Sequence, residues 1–229
     1  MTSKSALEVL YPFLHGKEQD PVAVDAGLMQ SIAEKARESR ETSAQFFGEQ
    51  SALLLKAAKA LAAVYRRGGR MFTMGNGGSS CDASHVAVEF LHPITAGRPA
   101  LAAINLTADV AMTSAVGNDV GFEHIFVRQI IAHGRAGDGL VGLSTSGNSA
   151  NLIAAFVKAR EMGLTTLGFS GGDGGGMASG VCDHCLVVPT TSVHRIQECH
   201  VAAYHILWDL VHTLLADDRG SAISKDVSA

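Results

Sequence analysis

Charge is scarce in this sequence. Only 17% of its 229 residues are Asp, Glu, Lys or Arg, a low share for a monomer that must wet its whole surface. Part of that surface is therefore expected to lie against another subunit. No basic run exists beyond Arg66-Arg67 with Arg70 nearby, and the formal net charge is -4; nucleic acid is a poor partner on electrostatic grounds. No apolar stretch of about 18 residues is free of polar interruption, so no transmembrane helix is expected. Met1 to Leu10 lacks the basic-then-apolar layout of a secretory signal, and the expected location is cytoplasmic. The four cysteines, Cys81, Cys182, Cys185 and Cys199, are too few for a disulfide scaffold. What the chain has is apolar content, 47%. That excludes disorder throughout, and the length suffices for one α/β domain with a real core.

The chain reads as an N-terminal appendage, residues 1–24, followed by a single domain, residues 25–229. Ser5 to Leu14 has the pattern of a short helix. From Asp25 to Arg67 apolar residues (Leu28, Ile32, Ala36, then Leu53, Leu54, Ala57, Leu61, Val64) recur at three- and four-residue spacing, with Gly48 expected to separate two helices. After Gly68-Gly69 short β-type runs alternate with helical stretches. The strand candidates are Arg70 to Met74, Ala100 to Asn105, Gly139 to Leu143, Thr165 to Phe169 and His184 to Val188. A long helix from about Val193 to Leu215 closes the chain. Five strands with intervening helices predict a parallel, doubly wound sheet, whose ligands sit beyond the carboxyl ends of the strands.

Two of those strand ends carry unusual loops. The first is Gly75-Asn76-Gly77-Gly78-Ser79-Ser80. Its glycines admit a ligand close to the backbone, and the amides of the helix that must follow can bind an anion; a tight turn with no ligand fits the same residues. The other is Ser144-Thr145-Ser146-Gly147-Asn148-Ser149. One hydroxyl there would cap a helix, but four in six residues exceed what a cap needs and suit a phosphate. Neither loop holds the Gly-Lys-Ser/Thr of a nucleotide-hydrolysing P-loop.

His85 and Glu89 lie four residues apart and share a helix face, a spacing that serves a metal or an acid/base pair as well as a solvated surface. Gln197, Val201 and His205 lie roughly along one side of the final helix. Gly168-Phe169-Ser170-Gly171-Gly172 matches a nucleophile elbow, yet no acid-then-His order accompanies it. Cys182-Asp183-His184-Cys185 has no second pair and leads into a strand rather than opening a helix, unlike redox motifs.

Taken in order, Gly75 to Ser79, Cys81-Asp82-Ala83, His85-x-x-x-Glu89, Gly117-Asn118-Asp119, Ser144 to Asn151 and Arg195-Ile196-Gln197-Glu198 with His205 form one pattern. This pattern, spanning about Arg70 to Leu215, resembles the phosphoheptose isomerase family. The resemblance implies an α/β SIS (sugar isomerase) fold, a five-stranded parallel sheet between helices in a three-layer sandwich. It also implies a homotetramer with active sites between subunits, and interconversion of sedoheptulose 7-phosphate and D-glycero-D-manno-heptose 7-phosphate. By position it implies that Asn76, Gly77, Gly78, Ser79, Asn118, Asp119, Ser144, Thr145, Ser146, Ser149 and Gln197 bind the sugar phosphate. His85, Glu89, Gln197 and His205 fall on positions that bind zinc in some members, and Glu89 and His205 on the proposed acid/base pair. The chemistry agrees: moving a proton between C1 and C2 through an enediol needs a base, a group that manages the oxygen protons, and charge stabilisation.

The sequence departs from the family at Phe90-Leu91-His92-Pro93, where many members pass through threonine and glycine to a basic residue, and at His194. Both touch the rim of the site. The alternatives are an isomerase for another phosphosugar and a non-catalytic SIS regulator like those that bind the bacterial replication initiator. Retention of Glu89, Gln197 and His205 favours the enzyme.

Overall fold

The computed structural model describes residues 21–226; the helix expected at Ser5 to Leu14 lies outside the described residues. The chain divides into two compact units, one ending at Arg40 and one running from Glu41. Helix α1 spans Pro21–Arg66 and crosses that division. Its part in the first unit leaves Leu28, Met29 and Ile32 exposed.

The break expected at Gly48 does not occur. A glycine inside a helix costs about 1 kcal/mol relative to alanine. The run of helix formers after it and the buried Phe46 just before it offset that cost. A Cβ at Gly48 would meet nothing within 4 Å, so no packing demand calls for glycine there.

The second unit is a three-layer sandwich. Strands β1 (Met71–Gly75), β2 (Ala103–Asn105), β3 (Gly139–Leu143), β4 (Thr165–Gly171) and β5 (His184–Val188) form one sheet in the order β2-β1-β3-β4-β5, and every pairing is parallel. Helices α2 (Gly78–Leu91), α3 (Val110–Asp119), α4 (Ile125–His133), α5 (Ala150–Glu161) and α6 (Val193–Asp226) complete the unit.

Side chains alternate across the strands with period two. Met71, Val141, Leu143, Leu167 and Phe169 face a core built with Leu54, Ala57 and Leu61 of α1, Ala83, Val86, Ala87 and Phe90 of α2, and Ala203, Leu207 and Val211 of α6. Phe72, Met74 and Leu140 face the other way, toward Ile125, Phe126 and Ile130 of α4 and Leu152, Phe156 and Ala159 of α5. Both faces of the sheet are covered, so β1 and β3 are buried along their whole length. The second face is packed without slack: a Cβ at Gly142 would come within 2.6 Å of the Phe156 ring.

Strands β3 and β5 have the bounds expected. β2 is shorter than the expected Ala100 to Asn105. It is an edge strand paired only with β1, and just before it the Leu101 amide is bonded to the Phe90 carbonyl at the end of α2 (2.8 Å). The closing helix runs past Leu215 to Asp226. No described helix is long and apolar enough to cross a membrane.

Candidate active site

In an all-parallel sheet, helices that follow strands begin at the carboxyl edge. There β1 hands over to α2 through Gly75-Asn76-Gly77. The turn is so tight that a Cβ at Gly75 would sit 2.2 Å from the Ser79 carbonyl oxygen, and Gly77 takes φ 55°, a left-handed conformation that disfavours a side chain. The Asn76 carboxamide exchanges two hydrogen bonds of 2.9 Å with that of Asn151 in the first turn of α5. This reciprocal pair ties the first loop to the helix that follows the serine loop.

The serine loop is built to free its hydroxyls from capping. Ser149 is the N-cap residue of α5, but its side chain makes no cap bond; its Oγ lies 2.9 Å from Ser144 Oγ instead. Ser146 Oγ accepts from the Asn148 amide within the loop (3.2 Å). The reading of these serines as helix caps therefore fails for both. Below them the loop rests on the glycine-rich segment after β4. The Gly176 amide donates to Asn148 Oδ1 (2.9 Å), and a Cβ at Gly147 would lie 2.0 Å from the Gly174 carbonyl oxygen.

Cavities open on either side of this loop. One, of about 550 Å3, is bordered by Asn76, Ser149, Asn151 and Gly121 to Glu123. The other, of about 440 Å3, is bordered by Thr145, Ser146, Gly171 to Asp173 and Ile196. Ser79 and Ser144 are buried, with 4% and 5% exposure. Asn118 and Asp119 are exposed at the end of α3 and bonded to each other (2.8 Å); neither borders these two cavities.

The acid/base candidates meet between α2 and α6, outside both cavities. His85 Nε2 lies 3.1 Å from Glu89 Oε1, as the four-residue spacing requires. From α6, His205 brings its ring to 5.0 Å from that of His85, edge to face. One potential ligand atom from each of His85, Glu89 and His205 lies within 4.8 Å of the other two. The side chains of His85 and Glu89 are 43% and 22% exposed, so a substrate can reach them. Gln197 stands two turns earlier on α6. Its amide presses on the start of α2, where a Cβ at Gly78 would approach Gln197 Nε2 to 2.4 Å.

Three more groups complete this cluster: Tyr204 and Trp208, which the sequence did not single out, and Asp82 of the Cys81-Asp82-Ala83 motif, to which it gave no role. Tyr204 Oη lies 2.7 Å from His85 Nδ1, and Trp208 Nε1 donates to the Glu89 carbonyl (2.8 Å). Burial, reinforced by the carboxylates of Asp82 and Glu89, pushes the Tyr204 phenol well above its ordinary pKa. Burial also raises the Asp82 carboxyl, against a smaller opposing pull from His85. Asp82 lies one turn before His85, and its buried Oδ2 has no hydrogen-bond partner among the described residues. The only sequence signal for Tyr204 was its place beside His205; an aromatic residue on an apolar helix face otherwise reads as core.

The nucleophile-elbow match at Gly168 to Gly172 lies in strand β4 up to Gly171 and ends one residue beyond it. Its Ser170 is fully buried and placed against Cys185 Sγ (3.3 Å) and the Leu186 carbonyl, where no substrate can meet it. Cys182 and Cys185 are free thiols. His92 follows the end of α2 and His194 lies in the first turn of α6; both are exposed.

Known proteins share this architecture and more. The SIS domain family matches residues 36–171. The phosphoheptose isomerase of Desulfovibrio desulfuricans is 43% identical over 187 residues, covering 82% of this chain and 89% of the relative. The solved phosphoheptose isomerase of Neisseria gonorrhoeae superposes with a TM-score of 0.76 at 37% identity, over 81% of this chain and 99% of that one. That of Francisella tularensis gives 0.77 at 31% identity, over 81% and 98%.

Proposed function

We infer the activity of this chain from the family to which it belongs, the SIS-domain phosphoheptose isomerases, and from the chemistry of the cluster between α2 and α6. It is an aldose-ketose isomerase of a heptose phosphate, interconverting sedoheptulose 7-phosphate and D-glycero-D-manno-heptose 7-phosphate. The observation that carries the reading is the grouping of His85, Glu89 and His205 from two helices. A non-catalytic SIS regulator has no use for that grouping.

In this reading the sugar phosphate is held by Asn76, Gly77, Gly78, Ser79, Asn118, Asp119, Ser144, Thr145, Ser146, Ser149 and Gln197. The serine hydroxyls and the amides at the helix starts take the phosphate. Glu89 removes a proton from C1 of the ketose. The C1–H bond electrons form the C1–C2 double bond, and the C2 carbonyl oxygen takes a proton from His205. Loss of the C1 hydroxyl proton to His205 and return of the carbon proton to C2 give the aldose. Imidazole suits the oxygen protons because its ordinary pKa lies near neutrality.

Zinc belongs to the same proposal. Two imidazole nitrogens and a carboxylate oxygen match the donor set of a catalytic zinc, and the three groups present fit it; Gln197 is a weaker fourth. A bound ion would act as a Lewis acid on the substrate oxygens. A homotetramer and a cytoplasmic location complete the reading, along with residues 25–229 as the SIS domain. Exposed Leu28, Met29 and Ile32 are consistent with burial against another copy. Light scattering should report about four chains, and a clean monomer at micromolar concentration would remove the shared-site arrangement.

The direct test is to incubate the protein with a panel of ketose phosphates in deuterated water. Sedoheptulose 7-phosphate should exchange its C1 and C2 protons and yield the aldose. Exchange with another ketose phosphate alone would reassign the substrate, and none with any would favour the regulator.

A further inference from the structure

The Cys182-Asp183-His184-Cys185 motif has no part in the isomerase chemistry. It does not open a helix, yet the fold brings its two ends together. Cys185 lies on β5 beside Gly168 of β4, and the chain bends at Cys182-Asp183 just before β5. A Cβ at Gly168 would lie 3.0 Å from Cys182 Sγ and 3.2 Å from Cys185 Sγ. Both sulfurs therefore fill the space that the missing side chain leaves, and Cys182 donates its thiol hydrogen to Cys185. Both are free thiols, Cys182 buried and Cys185 half-buried.

We propose that Cys182 and Cys185 are a redox dithiol, which a hydroperoxide closes to an intramolecular disulfide that loosens the serine loop. Cys185 Sγ attacks the peroxide: an S–O bond forms, the O–O bond breaks and, with hydrogen peroxide, one water leaves. Cys182 Sγ then attacks the sulfenic sulfur; the S–S bond forms, the S–O bond breaks and a second water leaves. The two thiols lose two electrons and two protons, and the peroxide takes up both.

The surroundings sort the roles. The hydrogen bond from Cys182 holds the Cys185 thiol below its ordinary pKa, against the opposing effect of burial and with help from the Ser170 hydroxyl 3.3 Å away. The thiolate is the form that attacks. That same bond and burial push Cys182 the other way, so it is the second thiol to react. A disulfide needs its sulfurs about 2.0 Å apart, closer than hydrogen-bonded thiols stand. Cys185 is held in the sheet by its pairing with β4, so Cys182 must move. Its amide is bonded to the Met177 carbonyl (3.4 Å), and the Met177 amide to the Gly147 carbonyl in the serine loop (3.0 Å). Closure therefore pulls on the loop proposed to hold the phosphate.

The test oxidises the full-length protein with hydrogen peroxide and maps its tryptic peptides. Residues 161–195 form one such peptide, and Cys182 and Cys185 are its only cysteines. After oxidation it should be lighter by two hydrogen atoms and take no alkylating label until it is reduced. In Cys182→Ser the same peptide should stop at a Cys185 sulfenic acid, which a cyclic dione traps. Oxidation should also raise KM for sedoheptulose 7-phosphate by about twofold or more, the low end of coupling through packed contacts. Dithiothreitol should reverse that rise, and Cys182→Ser should not show it. A peptide that keeps both thiols while the exposed Cys81 is oxidised overturns the proposal, and so does a disulfide with no rise in KM. The KM measurement rests on the isomerase reading and the peptide map does not: a protein inactive on every ketose phosphate that still forms the disulfide fails as an isomerase, not as a dithiol.

Discussion

Buried His200 makes this fold sensitive to acid. It is fully buried on α6, with Nε2 3.1 Å from the Ser170 carbonyl of β4 and Nδ1 without a partner among the described residues. The carbonyl is an acceptor, so Nε2 carries the hydrogen and a second proton has to go to the buried Nδ1. Burial pushes the pKa down from 6.5 to about 4, against a smaller opposing pull from that hydrogen bond. The folded value lies below the unfolded one, so between the two the unfolded chain holds the extra proton and stability falls as pH falls. The loss begins near 6.5 and is complete near 4; below that both states are protonated. At about 1.4 kcal/mol for each tenfold change, the gap amounts to about 3 kcal/mol. Other groups titrate in the same range, so the measurement is a difference. Urea unfolding of wild type and His200→Gln, at equal chain concentration, should show the wild-type advantage shrinking by about 3 kcal/mol from neutral pH to pH 4. Glutamine places an amide nitrogen near the Nε2 position, where it can donate to the Ser170 carbonyl, but does not titrate. A wild-type advantage that stays constant across that range would refute the reasoning.

Other positions yield shorter tests. Gly48→Ala should raise stability by about 0.5–1 kcal/mol in thermal or urea unfolding, since the added methyl meets nothing within 4 Å; a loss would mean that the helix is not continuous there. Gly78→Ala should displace the Gln197 amide, which the new Cβ would approach to 2.4 Å, and raise KM for the sugar phosphate; an unchanged KM would take Gln197 out of the site. Ser144→Ala and Ser149→Ala each break the 2.9 Å hydroxyl pair and should raise KM more than they lower kcat, the mark of lost ground-state binding. Elemental analysis of protein purified without chelator should find zinc bound to His85, Glu89 and His205, and His85→Ala should abolish it; sub-stoichiometric zinc with activity unaffected by chelation would remove the metal from the mechanism.

The parts legible in the sequence are those that local chemistry decides. Strands β3 and β5 are short apolar runs with distinct boundaries, and their expected bounds match. The two loops announce themselves by glycine and hydroxyl content that no ordinary turn needs. Gly48 reads as a break only when taken apart from the helix formers around it. β2 is shorter than its apolar run because an edge strand ends where its pairing ends, and Leu101 is bonded to α2 instead. Asn151, Tyr204 and Trp208 were not legible as site residues. Each acts across a large sequence gap, 75 residues for Asn151 and 119 for the other two, and such pairings depend on how elements pack.

That packing has a simple form, and it supports the sharpest test of the mechanism. Tyr204 with His85 and Trp208 with Glu89 keep one separation of 119 residues, and Gln197 against Gly78 keeps it too. Helices α2 and α6 therefore run parallel, as expected of two helices that follow parallel strands and cover the same face of the sheet. A slip of one residue would turn the contacting side chains by about 100° and dissolve every one of these contacts. Glu89→Gln leaves that register alone. Trp208 bonds the main-chain carbonyl of residue 89, and the new carboxamide, which both donates and accepts, can still hydrogen-bond His85 Nε2. What disappears is the base. Turnover should then fall by about 100-fold or more with little change in melting temperature. His205→Ala should cost a similar order, and the double variant less than the product, since the two groups act as one unit. If Glu89 and His205 served only helix packing, both variants would melt earlier yet turn over normally once folded. A folded Glu89→Gln protein with near wild-type turnover would end the assignment of this carboxylate as the base.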